Sequence, residues 1–190
     1  MSVLRQALLV AAQDLSDLRS DDALLEGIDT AIAWITDAFR AGNKIIAAGN
    51  GGSLADAMHL CEEFTGRFRK DRKPYPALCL SDPTHLTCVG NDYGFDEVFS
   101  RGIEAFAKPG DVVVLLSTSG NSKNLLTAAR SARLTEAKIV GFLGRGGGEL
   151  AGLCDLSLVF PGKTSDRIQE LHMLTLHALI EAVEANLGHV

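Results

Sequence analysis

Five short apolar runs, separated by helical segments, constrain the fold of this chain more than any other feature of its sequence. Each run places aliphatic or β-branched residues at successive positions, which is typical of strands that are covered on both faces. Strands that alternate with helices form parallel sheets with right-handed crossovers. The sequence therefore predicts an α/β fold with a doubly wound, five-stranded parallel sheet in three layers. The runs span residues 44–49, 76–80, 111–116, 137–143 and 155–160.

Helical patterns fall between and around these runs. Two helices are predicted within residues 1–41, before the first strand, and a long helix is predicted over residues 165–187. These flanking helices lie outside the alternation of strands and helices, so we expect them to pack on a second subunit. The helices between the strands are predicted at 53–68, 96–107, 121–134 and 148–153.

The chain is expected to form a single domain over residues 1–190, because no linker, internal repeat or low-complexity stretch interrupts it. Within that domain, residues 1–41 form a helical pair, and residues 42–190 form the α/β core and the C-terminal helix. Hydrophobic residues make up 46% of the chain and charged residues 22%, which is typical of a globular protein.

Charge and hydropathy exclude several classes of partner. A net charge of −6 argues against a nucleic-acid surface. The one basic run is predicted to be a solvated loop. No stretch approaches the roughly 18 apolar residues of a membrane span, and the N-terminal apolar run is too short for a secretory signal. We expect a cytoplasmic protein without a membrane or nucleic-acid partner. The basic run consists of Arg67, Arg69, Lys70, Arg72 and Lys73.

The four cysteines are predicted to be free, mostly buried thiols in a reducing compartment, because none belongs to a CxxC pair. They are Cys61, Cys79, Cys88 and Cys154.

A glycine-rich loop follows the first predicted strand. Asn50, Gly51 and Gly52 form a loop without bulky side chains, and Ser53 then caps a helix. Backbone N–H groups and the helix dipole point at such a loop and favour an anion or a polyol. The alternative interpretation is a tight turn from strand to helix.

A second polar loop follows the third predicted strand. Ser117, Thr118, Ser119 and Ser122 place four hydroxyl groups before the next helix, which suits a phosphate monoester. The chain has neither a P-loop lysine nor a GxGxxG motif, so nucleotide binding is disfavoured. A serine-rich turn with a helix cap is the alternative, but it explains only one or two of the hydroxyl groups.

Acid–base residues occur on two predicted helices. His59 and Glu63 are four residues apart and share one helix face, a spacing that permits joint metal ligation. An isolated helical histidine or glutamate is more often solvated, but these two lie on the helix that starts at the glycine-rich loop. The C-terminal helix carries Gln169, Glu170, His172 and His177.

Four motifs of the chain carry a family resemblance: AAGNGGSLADAMHLCEEFTGR, VGNDYGFDEVFSR, STSGNS and DRIQELHMLTLHALIE. They resemble the phosphoheptose isomerases of the sugar-isomerase (SIS) fold family. The resemblance runs from about residue 40 to the C-terminus and departs from the family at Leu54 and Met58, where alanine and glutamine are common. It implies a flavodoxin-like SIS fold and isomerisation of sedoheptulose 7-phosphate to D-glycero-D-manno-heptose 7-phosphate through an enediol. That reaction is the first step of nucleotide-activated heptose synthesis for lipopolysaccharide or another surface glycan.

The resemblance also implies residue roles and an assembly. Glu63 is implied as the general base and His177 as the general acid of a homotetrameric enzyme. Zinc, one ion per subunit, is implied to bind through His59, Glu63, Gln169 and His177. If Glu63 binds zinc it is a poorer base, so its two roles compete. Substrate contacts are implied for Asn50, Gly51, Gly52, Ser53, Glu63, Asn91, Asp92, Ser117, Thr118, Ser119, Ser122 and Gln169.

Helix geometry adds an expectation about assembly. Gln169 and His177 are separated by eight positions on one predicted helix, so their backbones lie about 12 Å apart and their side chains diverge by about 80°. Two such side chains can barely converge on one metal. We therefore expect a neighbouring subunit to supply one of them, which makes the active site an interface site.

Three alternatives remain open at this stage. A non-catalytic SIS adaptor, such as one that binds a bacterial replication initiator, keeps the sugar-phosphate loop without needing an acid and a base. An SIS transcription regulator is disfavoured because no helix-turn-helix segment precedes the fold. A different sugar-phosphate isomerase is the third, but the pentose-phosphate and amidotransferase-linked relatives usually carry extra domains, for which 190 residues leave no room.

Overall fold

All five predicted strands form in the computed structural model, which describes residues 1–189. The strands make one sheet in the order β2-β1-β3-β4-β5, and every neighbouring pair is parallel. This is the order of a flavodoxin-like doubly wound sheet, so the predicted fold class is confirmed. The strands are β1 Ile45–Gly49, β2 Ala77–Cys79, β3 Val112–Ser117, β4 Lys138–Leu143 and β5 Leu156–Val159.

Burial on both faces of the sheet explains why the strands are apolar at successive positions. In β1, Ile45 and Ala47 join a core that includes helices from both ends of the chain, whereas Ile46 and Ala48 join the core on the opposite face. Every residue of β1 and β3 is buried. Alternating side chains of these strands thus enter two separate cores, and the polar residue Ser117 stands only at the carboxyl end of β3.

Eight α-helices cover the sheet within the described residues. The helices α2, α3 and α8 contribute to one core, and α5 and α6 contribute to the other. The helices are α1 Val3–Arg19, α2 Asp22–Arg40, α3 Gly52–Thr65, α4 Pro83–Asp92, α5 Ser100–Phe106, α6 Lys123–Leu134, α7 Gly148–Ala151 and α8 Ser165–Asn186.

One helix, α4, was not predicted from the sequence. The predicted helix at 96–107 is instead a 3₁₀ turn at Phe95–Glu97 followed by α5, and α4 precedes both. The start of α4 has a recognisable signal, since Pro83 is its first residue and the Asp82 side chain accepts a hydrogen bond from the His85 amide at 2.7 Å. Apolar periodicity misses this helix because only Val89 is buried.

The N-terminal helix α1 leaves much of its apolar surface uncovered. Leu4, Leu8 and Leu9 are 68%, 61% and 54% exposed. Packing of this helix on a second subunit remains a prediction. No helix within residues 1–189 is long and apolar enough to cross a membrane.

The strand order places β1 beside β3 in the middle of the sheet. The helix that follows β1 packs on one face, and the helix that follows β3 packs on the other. The chain therefore diverges at this point and opens a crevice at the carboxyl ends of the two strands, where ligands bind in sheets of this type. Both polar loops of the sequence end at this crevice.

Gly49, the last residue of β1, lies directly against the first turn of α3. A Cβ atom at Gly49 would lie 2.5 Å from the Ser53 carbonyl oxygen, and backbone cannot move aside as a side chain does. We expect Gly49→Ala to lower the free energy of unfolding by about 1–3 kcal/mol. Urea denaturation measures this change.

Gly152→Ala is the matched control, because a Cβ there meets its nearest neighbour at 3.7 Å in a right-handed backbone conformation. Its free energy of unfolding should stay within about 0.5 kcal/mol of the parent. Equal urea midpoints for both variants would contradict the close approach of β1 and α3.

Candidate active site

A polar cavity of about 200 Å³ lies at the carboxyl ends of β1 and β3. Seven of the predicted substrate residues line it, together with Leu116 and Ser165. The seven are Asn50, Ser53, Ser117, Thr118, Ser119, Ser122 and Gln169. The two loops identified in the sequence thus form one site, although they lie far apart in the chain.

Three helices begin at this cavity. Ser53, Ser122 and Ser165 line it at the starts of α3, α6 and α8. None of these three helices has a side-chain cap on its first amides, whereas α1, α2 and α4 are each capped by a serine or aspartate side chain. The positive ends of three helix dipoles therefore face one cavity, an arrangement that favours an anion.

Side-chain hydrogen bonds hold the two loops together. Asn50 and Asn124 exchange two amide hydrogen bonds, each 2.9 Å long. The hydroxyl groups of Thr118 and Ser165 lie 3.0 Å apart, which connects the β3 loop to the start of α8. These contacts fix the cavity before any ligand binds, so little ordering is left for binding to impose.

The two glycines of the first loop have different reasons, a close approach at Gly52 and a left-handed backbone conformation at Gly51. A Cβ atom at Gly52 would lie 2.6 Å from Gln169 Oε1, and Gly51 has a positive φ of 55°. Gln169 in turn donates a hydrogen bond from Nε2 to Ser53 Oγ at 3.2 Å. The start of α3 and the first turn of α8 are therefore in direct contact.

Five predicted substrate residues are outside the cavity lining, namely Gly51, Gly52, Glu63, Asn91 and Asp92. Asn91 and Asp92 are exposed at the C-terminal end of α4, where the Asn91 amide donates to Asp92 at 2.7 Å. Their substrate role stays a prediction.

A second cluster lies further along the same two helices. His59 and Glu63 on α3 and His177 on α8 bring their donor atoms within 4.8 Å of one another. The two histidine Nε2 atoms are 3.0 Å apart, and His59 Nε2 is 3.3 Å from Glu63 Oε1. The ring of Phe68 stacks on His177, with ring centroids 5.8 Å apart.

The donor set of this cluster fits a divalent metal such as zinc. Imidazole nitrogens and a carboxylate oxygen bind zinc at about 2.0–2.2 Å, which places tetrahedral ligands about 3.3 Å apart. The separations of 3.0 and 3.3 Å in the cluster are close to that value. A hydrogen bond between the two imidazoles explains the shorter distance equally well without a metal.

Gln169 does not join this cluster within one chain. Its amide contacts Ser53, and Ser53 lies six residues before His59 on α3, about 9 Å along the helix. The structure thus divides the predicted metal ligands into a group of three and a separate glutamine at the cavity.

Sequence reasoning missed two residues of the site. Ser165 lines the cavity, and its position at the start of a helix in front of Asp166 is a signal that the sequence contains. Asp56 lies between Ser53 and His59 on α3, and its buried Oδ2 has no partner among the described residues. Burial raises the pKa of the Asp56 carboxyl to about 6, against an opposing effect of His59.

Comparisons with known proteins agree with the fold. The model of the SIS domain family matches residues 12–144. A phosphoheptose isomerase of Fusobacterium nucleatum is 53% identical over 150 residues, which cover 79% of this chain and 77% of that protein. One of Pectobacterium atrosepticum is 44% identical over 187 residues, or 98% of this chain and 97% of its own.

A solved structure extends this similarity. The phosphoheptose isomerase of Neisseria gonorrhoeae superimposes with a TM-score of 0.87 at 34% identity, covering 97% of this chain and 100% of that one. The chain therefore belongs to the SIS domain family, a class of α/β proteins that includes sugar-phosphate isomerases. Within it, the chain belongs to the phosphoheptose isomerases.

The buried His172 makes the stability of the fold sensitive to acid. This side chain of α8 is fully buried and packs edge-on against Phe142 and Phe160, and burial lowers its pKa to about 4. The unfolded chain takes up this proton near pH 6.5, so the depressed pKa contributes stability that is present above pH 6.5 and lost as the pH falls towards 4. We expect His172→Leu to reduce the loss of unfolding free energy between pH 7 and pH 4.5 by about 2 kcal/mol.

Denaturation of metal-free protein at the two pH values measures this difference. Any change of stability that is independent of pH cancels in the comparison. Identical pH dependence in the parent and His172→Leu would show that this imidazole is not the group responsible.

Proposed function

We propose that the chain isomerises sedoheptulose 7-phosphate to D-glycero-D-manno-heptose 7-phosphate. The observation that carries the proposal is the placement of an anion cavity and an acid–base cluster on one pair of packed helices, about 9 Å apart along α3. That separation suits an extended sugar whose phosphate and carbonyl group are at opposite ends. The product would feed nucleotide-activated heptose synthesis for lipopolysaccharide or another surface glycan, in the cytoplasm, and residues 1–190 would act as one domain.

The phosphate would bind in the cavity. The hydroxyl groups of Ser119 and Ser122 can donate hydrogen bonds to its oxygens, and the positive ends of α3, α6 and α8 would attract its charge. These donors are in place before binding, and charge-assisted hydrogen bonds to a dianion are stronger than neutral ones. The phosphate would thereby fix which end of the sugar reaches the second cluster.

Proton transfer would occur at that cluster. Glu63 would remove the proton from the carbon next to the carbonyl group, while His177 donates a proton to the carbonyl oxygen, and an enediol results. Return of a proton from Glu63 to the neighbouring carbon, with His177 taking back a hydroxyl proton, completes the shift of the carbonyl group. The donor atoms of Glu63 and His177 lie within 4.8 Å of each other, so both can reach adjacent atoms of one substrate.

Zinc is the cofactor that we propose for this site, one ion per subunit. His59, Glu63 and His177 would hold it, with Gln169 as the fourth ligand, and zinc bound there would supply a Lewis acid for the carbonyl oxygen. Ligation would make Glu63 a weaker base and would occupy the His177 nitrogen that faces the cluster, so each residue's two roles compete.

Replacement of Glu63 tests the base directly. We expect Glu63→Gln to lower kcat by ~10²-fold or more, because the amide cannot accept the proton. NMR of purified protein with sedoheptulose 7-phosphate measures heptose 7-phosphate formation. Glu62→Gln is the matched control, since Glu62 is exposed on the adjacent position of α3 and should leave turnover unchanged.

Three results would each count against part of the proposal. Normal turnover by Glu63→Gln would leave the isomerase but remove this base. Turnover that survives complete chelation would remove zinc. No turnover by the parent, with or without added zinc, would remove the isomerase and favour a binding protein.

We propose further that the enzyme is a homotetramer with active sites at subunit interfaces. Within one chain Gln169 stays at Ser53, so a fourth ligand for His59, Glu63 and His177 would have to come from a neighbouring subunit. The exposed leucines of α1 offer apolar surface for such an assembly.

Sedimentation during turnover tests the assembly. We expect the active species to sediment as a tetramer and the specific activity to fall on dilution, because a separated subunit would lack the ligand from its neighbour. A fully active monomer would contradict the interface site.

A further inference from the structure

Arg72 is buried, although the basic run that contains it was predicted to be a solvated loop. That prediction is wrong for this residue, whose side chain is only 1% exposed. The loop connects α3 to β2. Its other four basic residues are exposed as expected, and these are Arg67, Arg69, Lys70 and Lys73. Arg72 alone turns inward, where a charge is retained only if it is paired and fully hydrogen-bonded.

The guanidinium of Arg72 caps the C-terminal end of α3. It donates from Nη2 to the Glu63 carbonyl oxygen at 2.7 Å and from Nη1 to the Phe64 carbonyl oxygen at 2.9 Å. Gly66, which follows the helix, has a φ of −87°, so no left-handed turn closes the helix as is common elsewhere. Arg72 therefore supplies a partner to the Glu63 carbonyl group, a second partner beside the Tyr75 amide to the Phe64 carbonyl group, and a positive charge at the negative end of the helix dipole.

The same guanidinium holds α8. Arg72 donates from Nε to Glu184 Oε1 at 2.6 Å, and the Glu184 side chain is also buried. Glu184 lies seven residues after His177, which is about two helical turns, and therefore on the same face of α8. One buried side chain thus joins the last turn of α3, which carries Glu63, to the helix that carries His177.

We propose that Arg72 is a positioning residue that holds Glu63 and His177 at the separation their chemistry requires. The effect of Arg72 on catalysis rests on the proposed function, whereas its role in holding α3 against α8 rests on the hydrogen bonds alone. Proton transfer depends steeply on distance, and misplacement of a catalytic group by about 1 Å can lower the rate by ~10²-fold. The phosphate cavity at the other end of α3 should be unaffected.

A paired substitution separates positioning from stability. Loss of Arg72 alone would leave Glu184 buried without a partner, and the chain could then fail to fold. The double variant Arg72→Met with Glu184→Leu replaces both buried charges by apolar side chains of similar size, which commonly preserves stability. Arg72→Lys is the second variant, because it keeps the charge beside Glu184 but loses the planar fork that reaches two carbonyl groups.

We expect both variants to show a kcat lower by roughly 10- to 100-fold, with KM for the sugar phosphate within about twofold of the parent. Amide hydrogen exchange at residues 64–66 should be faster, and zinc should bind roughly 10-fold more weakly or worse. Lys70→Met is the matched control. It removes an exposed charge from the same loop, and all three quantities should stay at their parental values.

The outcomes distinguish this proposal from the proposed function. The positioning role would be overturned if either variant folds and keeps the parental kcat, amide hydrogen exchange and zinc affinity. If the parent protein has no isomerase activity, amide hydrogen exchange and zinc affinity still test whether Arg72 holds α3 against α8. A rise in KM at constant kcat would also overturn the proposal, because it would place the effect at the phosphate cavity.

Discussion

The packing of α3 against α8 is the contact on which the site depends. The two helices come from distant parts of the chain, run in the same direction on one face of the sheet, and touch at both ends of their common length. At the start, the Gln169 amide lies against Gly52, where an added Cβ atom would be 2.6 Å from Gln169 Oε1. Two turns further on, His59 and His177 meet at 3.0 Å. A shift of one helix along the other would separate both pairs at once.

This pairing divides the site into two parts with different physics. At the carboxyl ends of β1 and β3, three helices begin without a side-chain hydrogen bond from the N-cap residue. Their positive ends create a positive potential without any lysine or arginine in the cavity lining. Further along α3, the chemistry depends on titratable side chains and on distances of about one hydrogen bond. The first part tolerates small displacements because dipoles act over several ångströms, whereas the second does not. Arg72 contacts the second part, where displacement has the larger effect.

Much of the fold was predictable, because strands covered on both faces must be apolar at successive positions and β1 and β3 are buried throughout. The helix α4 was missed because it buries only Val89 and leaves no apolar period. The exposed state predicted for Arg72 was wrong because a charge run gives no sign of which member has a buried carboxylate within reach. Ser165 could have been found from helix-start signals, but Asp56 could not, since nothing local distinguishes a buried carboxyl from a solvated one.

The sequence by itself determined the strand–helix alternation, the two polar loops and the residue types available for acid–base chemistry, since these follow from local composition and periodicity. Only the tertiary structure decided which of these residues meet. It joined the loops into one cavity and gathered His59, Glu63 and His177 while leaving Gln169 at the cavity. The physical reason is that contacts between α3 and α8 span more than a hundred residues of chain. Their register is set by packing against the sheet, which no local pattern encodes.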